Sequence, residues 1–215
     1  MTDCAVIVPM LGRPWTVEPL ARSLAQSKAP ARLVFIVGTD DNATWAACRD
    51  YETIETTRRI RGDYAAKINL GIRSTLEPWV FLGACDIQFH AGWWESCMKA
   101  AETGAQVIGT NDLANPRTAN GDLSTHTLLS RDYANLPTID GQPGPLCEQY
   151  LHEYTDNELV GTAKKRGAYA HAPDAIVEHL HPSVGRAPWD DSYRKQAARM
   201  SKDRMLFRRR RKLWT

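Results

Sequence analysis

At 215 residues, 43% hydrophobic and 24% charged, the chain is long enough for one domain with a sizeable core and too evenly mixed to be fibrous or disordered. Its net charge of +2 hides a division: residues 194–212 hold ten Lys/Arg against Asp203 alone, and residues 1–193 hold 17 basic against 24 acidic side chains. No apolar stretch approaches the roughly 20 residues that cross a bilayer, the N-terminus lacks a signal-peptide plan, and five scattered cysteines with no CxxC pair suggest neither a disulfide framework nor a zinc knuckle, so a reducing cytoplasm fits best.

In chain order, Cys4–Val8 (CAVIV) reads as a short buried strand stopped by Pro9, and Trp15–Gln26 places Val17, Leu20, Ala21 and Leu24 on one helical face. A second strand, Leu33–Val37, runs into the turn signal Gly38-Thr39-Asp40-Asp41-Asn42. An Ala-rich helix (Ala43–Arg49), a weak strand near Thr53–Thr57, a helix over Asp63–Thr75 despite Gly71, and a buried strand at Trp79–Leu82 follow. A helix near Trp93–Thr103 and a strand at Gln106–Thr110 complete the first half. Beyond it, loops rich in Asn, Gly and Pro (Asn115–Asp122, Asp140–Pro145) precede a helix from Asp156 to Arg166 and two short strands, Ala168–Ala172 and Ala175–His181. Strands alternating with helices at this spacing predict an α/β fold, a mostly parallel sheet with helices on both faces. The layout predicts one domain over 1–189, with a nucleotide-binding half at 1–112 and an acceptor half at 113–189, followed by a basic C-terminal helix or tail at 190–215.

Open parallel sheets bind ligands at the carboxyl ends of their strands. Three ends here carry polar residues: 9–13 after the first strand, 39–42 after the second, and Asp86 after the fourth. The absence of GxGxxG after the first strand and of GxxxxGK[ST] anywhere argues against dinucleotide enzymes and P-loop ATPases.

VIVPMLGRP, IVGTDDN, GDYAAKINLGIRST, EPWVFLGACDIQF, YTDNELVGTAKKRG and VEHLHP, in this order over residues 4–182, resemble the landmarks of family 2 glycosyltransferases of the GT-A (Rossmann-like) fold, most of all the short phage-encoded members. The resemblance implies a nucleotide-sugar donor, with Pro9 at the first strand end, Asp40 and Asp41 toward the base, and Lys67 and Asn69 facing the nucleotide. Asp86 stands where the family's acidic pair holds Mg²⁺ or Mn²⁺ against the diphosphate, a task for oxygen ligands. Cys85 departs from that pair, and a thiol is a poor ligand for these ions. His179 and His181, two apart on an extended segment, face one way and are both candidates to complete the metal shell. Asp156 maps to the catalytic base of an inverting transfer; Thr155 and Glu158 around it also read as a capping box, with the helix N-terminus keeping Asp156 ionised. Glu148 matches an acidic position near acceptor or donor sugar. Trp93 and Trp94 read as core or as stacking surfaces, and His126 is unassigned.

For the acceptor, phage-type relatives imply a hydroxymethylated base in phage DNA, a virion protein or a surface glycan, and the basic tail favours DNA through phosphate neutralisation. Cys85 keeps open a non-catalytic sugar-nucleotide or nucleic-acid binding module, and GRP at 12–14 faintly echoes nucleotidyltransferases.

Overall fold

A computed structural model of the protein describes residues 2–57, 63–191, 193–194 and 200–215. Residues 192 and 195–199 of the predicted basic tail therefore lie outside the described residues. Among the described residues eight strands form a curled sheet: β1 (Cys4–Pro9), β2 (Ala31–Gly38), β3 (Glu52–Thr56), β4 (Trp79–Leu82), β5 (Ile87–Phe89), β6 (Val107–Asn111), β7 (Thr127–Ser130) and β8 (Tyr169–His179), in the order β3-β2-β1-β4-β7-β6-β8-β5. The first four are mutually parallel, β7 runs antiparallel between β4 and β6, β8 returns parallel to β6, and β5 closes the edge antiparallel to β8.

Successive side chains of a strand point to opposite faces, and CAVIV is apolar throughout because both faces are covered. Cys4, Val6 and Val8 enter one core with Phe35, Phe81 and Trp93, whereas Ala5 and Ile7 enter the other with Ile36, Ile68 and Leu159. Helices α1 (Val17–Ser27), α2 (Asn42–Cys48) and α4 (Trp93–Ala101) contribute to the first core; α3 (Tyr64–Arg73), α6 (Arg131–Ala134) and α7 (Thr155–Lys165) contribute to the second, and α5 (Pro116–Ala119) is a short turn of helix. Gly71 is the contact point between α3 and the sheet: a Cβ there would stand 2.5 Å from the Ile7 side chain. Trp93 is core, with no exposed surface and its indole N–H donated to the Ser27 hydroxyl, and Trp94 packs edge-on beside it.

The second half departs from the sequence reading in several places. The two strands expected at Ala168–Ala172 and Ala175–His181 are one strand, β8, with a register shift against β6 between Gly109 and Asn111 where exposed Pro173 and Asp174 bulge out. A proline has no N–H for the ladder, so the chain leaves the sheet there and rejoins it. Strands β5 (IQF) and β7 (TLLS) are absent from the sequence reading, since each is short and broken by polar residues, unlike the equally short but wholly apolar WVFL of β4. The capping box is also absent. The N-cap of α7 is Tyr154 in the left-handed region (φ 67°), which has no short side-chain oxygen to cap with, Thr155 is already helical, and Glu158 turns inward to the Tyr150 hydroxyl and the Arg210 guanidinium.

The C-terminal helix, Met200–Arg210, packs on the body instead of projecting from it. Arg210 bonds Glu158 and Asp140, the Asp203 carboxylate accepts the backbone N–H groups of Leu151, His152 and Glu153 at 2.8 Å each, and the Trp214 indole fills the space that a side chain at Gly161 would occupy. Among the described residues no helix is long and apolar enough to cross a membrane.

Candidate active site

The carboxyl ends of β1 and β4 open on a cavity of about 620 Å³, a volume suited to a small-molecule ligand. Pro9, Met10 and Arg13 line it from the loop after β1, Asp86 from the turn after β4, and Asp156 from the first turn of α7. His179 arrives by strand pairing: Ile87 of β5 faces His179 of β8, and the Leu180 amide donates to the Asp86 carbonyl, so the end of β8 is tied beside Asp86.

Asp86 is the electrostatic centre. Its Oδ2 accepts a hydrogen bond from the Tyr193 hydroxyl at 2.7 Å and lies 3.5 Å from His179 Nε2 and 3.6 Å from Arg13 Nη1. Burial works against its ionised form, but the hydrogen bond and charge of His179, with the Tyr193 hydroxyl, outweigh it and hold the carboxyl far below the usual carboxylate range. His179 is raised in return, Asp86 outweighing the burial that opposes its charge. His181 does not continue the strand: it caps the short helical turn Pro182–Val184, its Nδ1 accepting the Ser183 amide, and it is lowered by burial and by His179. Both imidazoles still line the cavity, their ring centres 5.1 Å apart.

Asp156 sits half-buried in the wall with Oδ1 accepting the Asn157 amide at 2.8 Å. Desolvation in the cleft pushes its pKa up to about 6, against the lowering expected from the helix N-terminus. It remains mainly ionised at neutral pH, but only by a margin of about one pH unit.

Lys67 and Asn69 separate. Residues two apart on a helix lie about 200° apart around its axis and cannot share one face. Lys67 reaches the cavity wall, its Nζ donating to the Met10 carbonyl at 2.7 Å and pairing with Asp63 at 3.4 Å. Asn69 lies outside the lining and donates to the Leu146 carbonyl and to Glu148 Oε1, so it fastens the 142–148 loop, and Glu148 is likewise outside the lining. Asp41 is the N-cap of α2 and also accepts the Gly12 amide at 2.7 Å, bracing the loop after β1; Asp40 is exposed beside it, and neither lines the cavity.

This architecture has counterparts. A mannosyltransferase from Pyrobaculum calidifontis, solved in complex with GDP-Man and Mn²⁺, superposes with a TM-score of 0.60 at 15% identity over 86% of this chain and 58% of its own. Glucosyl-3-phosphoglycerate synthase from Mycobacterium tuberculosis, solved with Mn²⁺, UDP and glucosyl-3-phosphoglycerate, gives 0.59 at 16% over 83% and 72%. A fragment of S. aureus TarS gives 0.61 at 12% over 81% and 59%. The chain thus spans less than two thirds of the mannosyltransferase and of the TarS fragment. No curated protein matches this sequence. The family profile of glycosyl transferase family 2 matches residues 5–155. The chain belongs to that family.

Sequence reasoning overlooked three residues in the site of this family 2 member. Arg13 contacts Asp86 from the loop after β1, and its guanidinium lies 3.6 Å from the centre of the Tyr193 ring. Tyr193 lies in the segment set aside as tail, where nothing local marks a long-range partner. His126 is buried with neither ring nitrogen hydrogen-bonded, and desolvation together with nearby His179 lowers it to about 4, a neutral imidazole in the cavity wall. A lone histidine between Thr125 and Thr127 carried no signal in the sequence.

Proposed function

We propose that this chain is an inverting glycosyltransferase that moves a sugar from a nucleoside-diphosphate sugar to a hydroxyl acceptor. The observation that carries the reading is a single cavity at the carboxyl edge of the sheet lined by both Asp86 and Asp156, joined to membership of glycosyl transferase family 2. Asp156 takes the acceptor's proton as its oxygen attacks the anomeric carbon. The bond from that carbon to the diphosphate breaks, its electron pair leaves with the nucleoside diphosphate, and configuration inverts. Asp40 and Asp41 are proposed toward the base, and Pro9 and Lys67 at the donor; Asn69 and Glu148 support the same site by fastening the 142–148 loop to α3.

Among the described residues no three His, Cys, Asp or Glu side chains converge as a metal cage. Asp86 and His179, 3.5 Å apart, nevertheless offer an oxygen and a nitrogen on one side of the cavity, which suits a divalent ion that completes its shell with phosphate oxygens and water. We assign Mn²⁺ or Mg²⁺ to this pair, with His181 as the neighbouring candidate. When bound, the ion supplies positive charge to the departing diphosphate, as suggested by the Mn²⁺ in the mannosyltransferase and synthase structures.

For the acceptor we propose an anionic polymer, with hydroxymethylated DNA of phage type ahead of virion protein or surface glycan. Exposed Lys202, Arg204, Arg208, Arg209, Arg211 and Lys212 on the docked C-terminal segment support it. A non-catalytic sugar-nucleotide binder is the second reading, favoured by Cys85. Incubation with a panel of nucleotide sugars, with and without Mn²⁺, separates the readings. Release of nucleoside diphosphate supports transfer; binding without release supports the binder; release of pyrophosphate overturns both. In a filter-binding titration, DNA affinity that falls steeply with salt supports the acceptor assignment, and affinity indifferent to salt removes it.

A further inference from the structure

Arg13 is a buried cation whose compensation is incomplete. Its side chain is 9% exposed, and its Nε–H is buried with no acceptor, a rare condition for a buried donor. Nη1 faces the Cys85 sulfur, a weak acceptor, at 4.0 Å. Asp86 lies 3.6 Å away, beyond hydrogen-bond distance, and is already engaged by Tyr193. The close partner of Arg13 is Asp190, whose two oxygens lie 3.1 and 3.0 Å from Nη2 and whose side chain is 31% exposed. Lys67, the other cationic Lys/Arg side chain of the described lining, is 2% exposed and tied to the Met10 carbonyl and Asp63.

A guanidinium presents a planar fork of N–H donors and never loses its charge, and it binds phosphate in bidentate fashion. A carboxylate from a partly exposed segment occupies part of that fork here and leaves Nε–H unused. We infer that Arg13 binds the diphosphate of the donor, and that Asp190 is a stand-in anion which the diphosphate displaces; this rests on the glycosyl-transfer reading above. The arrangement also accounts for Cys85. With an arginine facing residue 85, a neutral side chain there leaves the guanidinium free to serve an incoming anion, whereas a carboxylate would have neutralised it. Tyr193 holds the stacked side of the guanidinium and is expected to keep Arg13 aimed at the cavity.

The test is isothermal titration of the full chain with UDP, GDP, ADP and CDP and with the matching nucleosides, in Mn²⁺ and again in EDTA. Arg13→Met should weaken the preferred diphosphate about 10- to 100-fold, the worth of a hydrogen bond to a charged group, and leave the nucleoside unaffected. Asp190→Asn, which keeps Arg13 in place and guards against a folding defect in the first variant, should tighten the diphosphate about two- to fivefold, the worth of a partly exposed ion pair. An unchanged diphosphate affinity in Arg13→Met, or a weakened one in Asp190→Asn, overturns this inference while the glycosyl-transfer reading stands. Failure of all four diphosphates to bind the unmodified protein overturns both together.

Discussion

The raised pKa of Asp156 makes the acid limb of the pH profile the sharpest test of its role. A base must be ionised to accept a proton, and with a pKa of about 6 the ionised fraction is about one tenth at pH 5 and about nine tenths at pH 7. The rate of nucleoside diphosphate release at saturating donor should therefore rise about tenfold over that interval, with its midpoint near 6. An ordinary aspartate, at 3.8, would give a flat profile over the same range. Asp156→Asn should remove the limb and cut turnover by about 10²- to 10⁴-fold, the usual contribution of a general base, with nucleotide binding retained. The same shift has a stability signature of definite sign. The folded state holds this proton more tightly than the unfolded chain, so Asp156 favours folding most below pH 3.8 and loses that contribution as pH rises through about 6. A pH-independent rate between 5 and 7, or an Asp156→Asn variant that turns over like the parent, would refute the assignment.

Arg210→Met should destabilise the fold by about 3–5 kcal/mol in urea denaturation, because it strands the Glu158 carboxylate at 5% exposure; adding Glu158→Gln should restore much of the loss. Gly71→Ala should cost about 1–3 kcal/mol or shift α3, since the added methyl meets Ile7 at 2.5 Å, and a melting temperature equal to the parent's would contradict the packing described. Asp86→Ala should abolish Mn²⁺ binding followed by electron paramagnetic resonance in the presence of the preferred nucleoside diphosphate, whereas His181→Ala should weaken it less, because His181 Nδ1 is already engaged by the Ser183 amide.

The first half of the fold was legible because its elements announce themselves locally. CAVIV and LVFIV are continuous apolar runs bounded by Pro9 and by Gly38 and Asp41, and the helices between them carry their own periodic faces. The placement of Asp86 at a strand end follows from the same local reading. What distance along the chain separates, the sequence did not reveal. Arg13 and Tyr193 both meet Asp86, with Asp190 closing on Arg13, yet they come from opposite ends of the chain. Asn69 and Glu148, read from the sequence as facing nucleotide and sugar, bond to each other across the second core's edge, a pairing visible only once α3 and the 142–148 loop are packed.

By itself, the sequence determined the alternation of strands and helices, the acid at the end of β4 and the charge of the C-terminal segment, since each depends on residues near one another in the chain. Tertiary structure decided which of those residues share one cavity, the raised pKa of Asp156 and the docking of the basic helix through Asp203 and Arg210. Desolvation and ion pairing depend on what surrounds a group in space, and neighbours brought in from 50 or more residues away leave no local pattern to read.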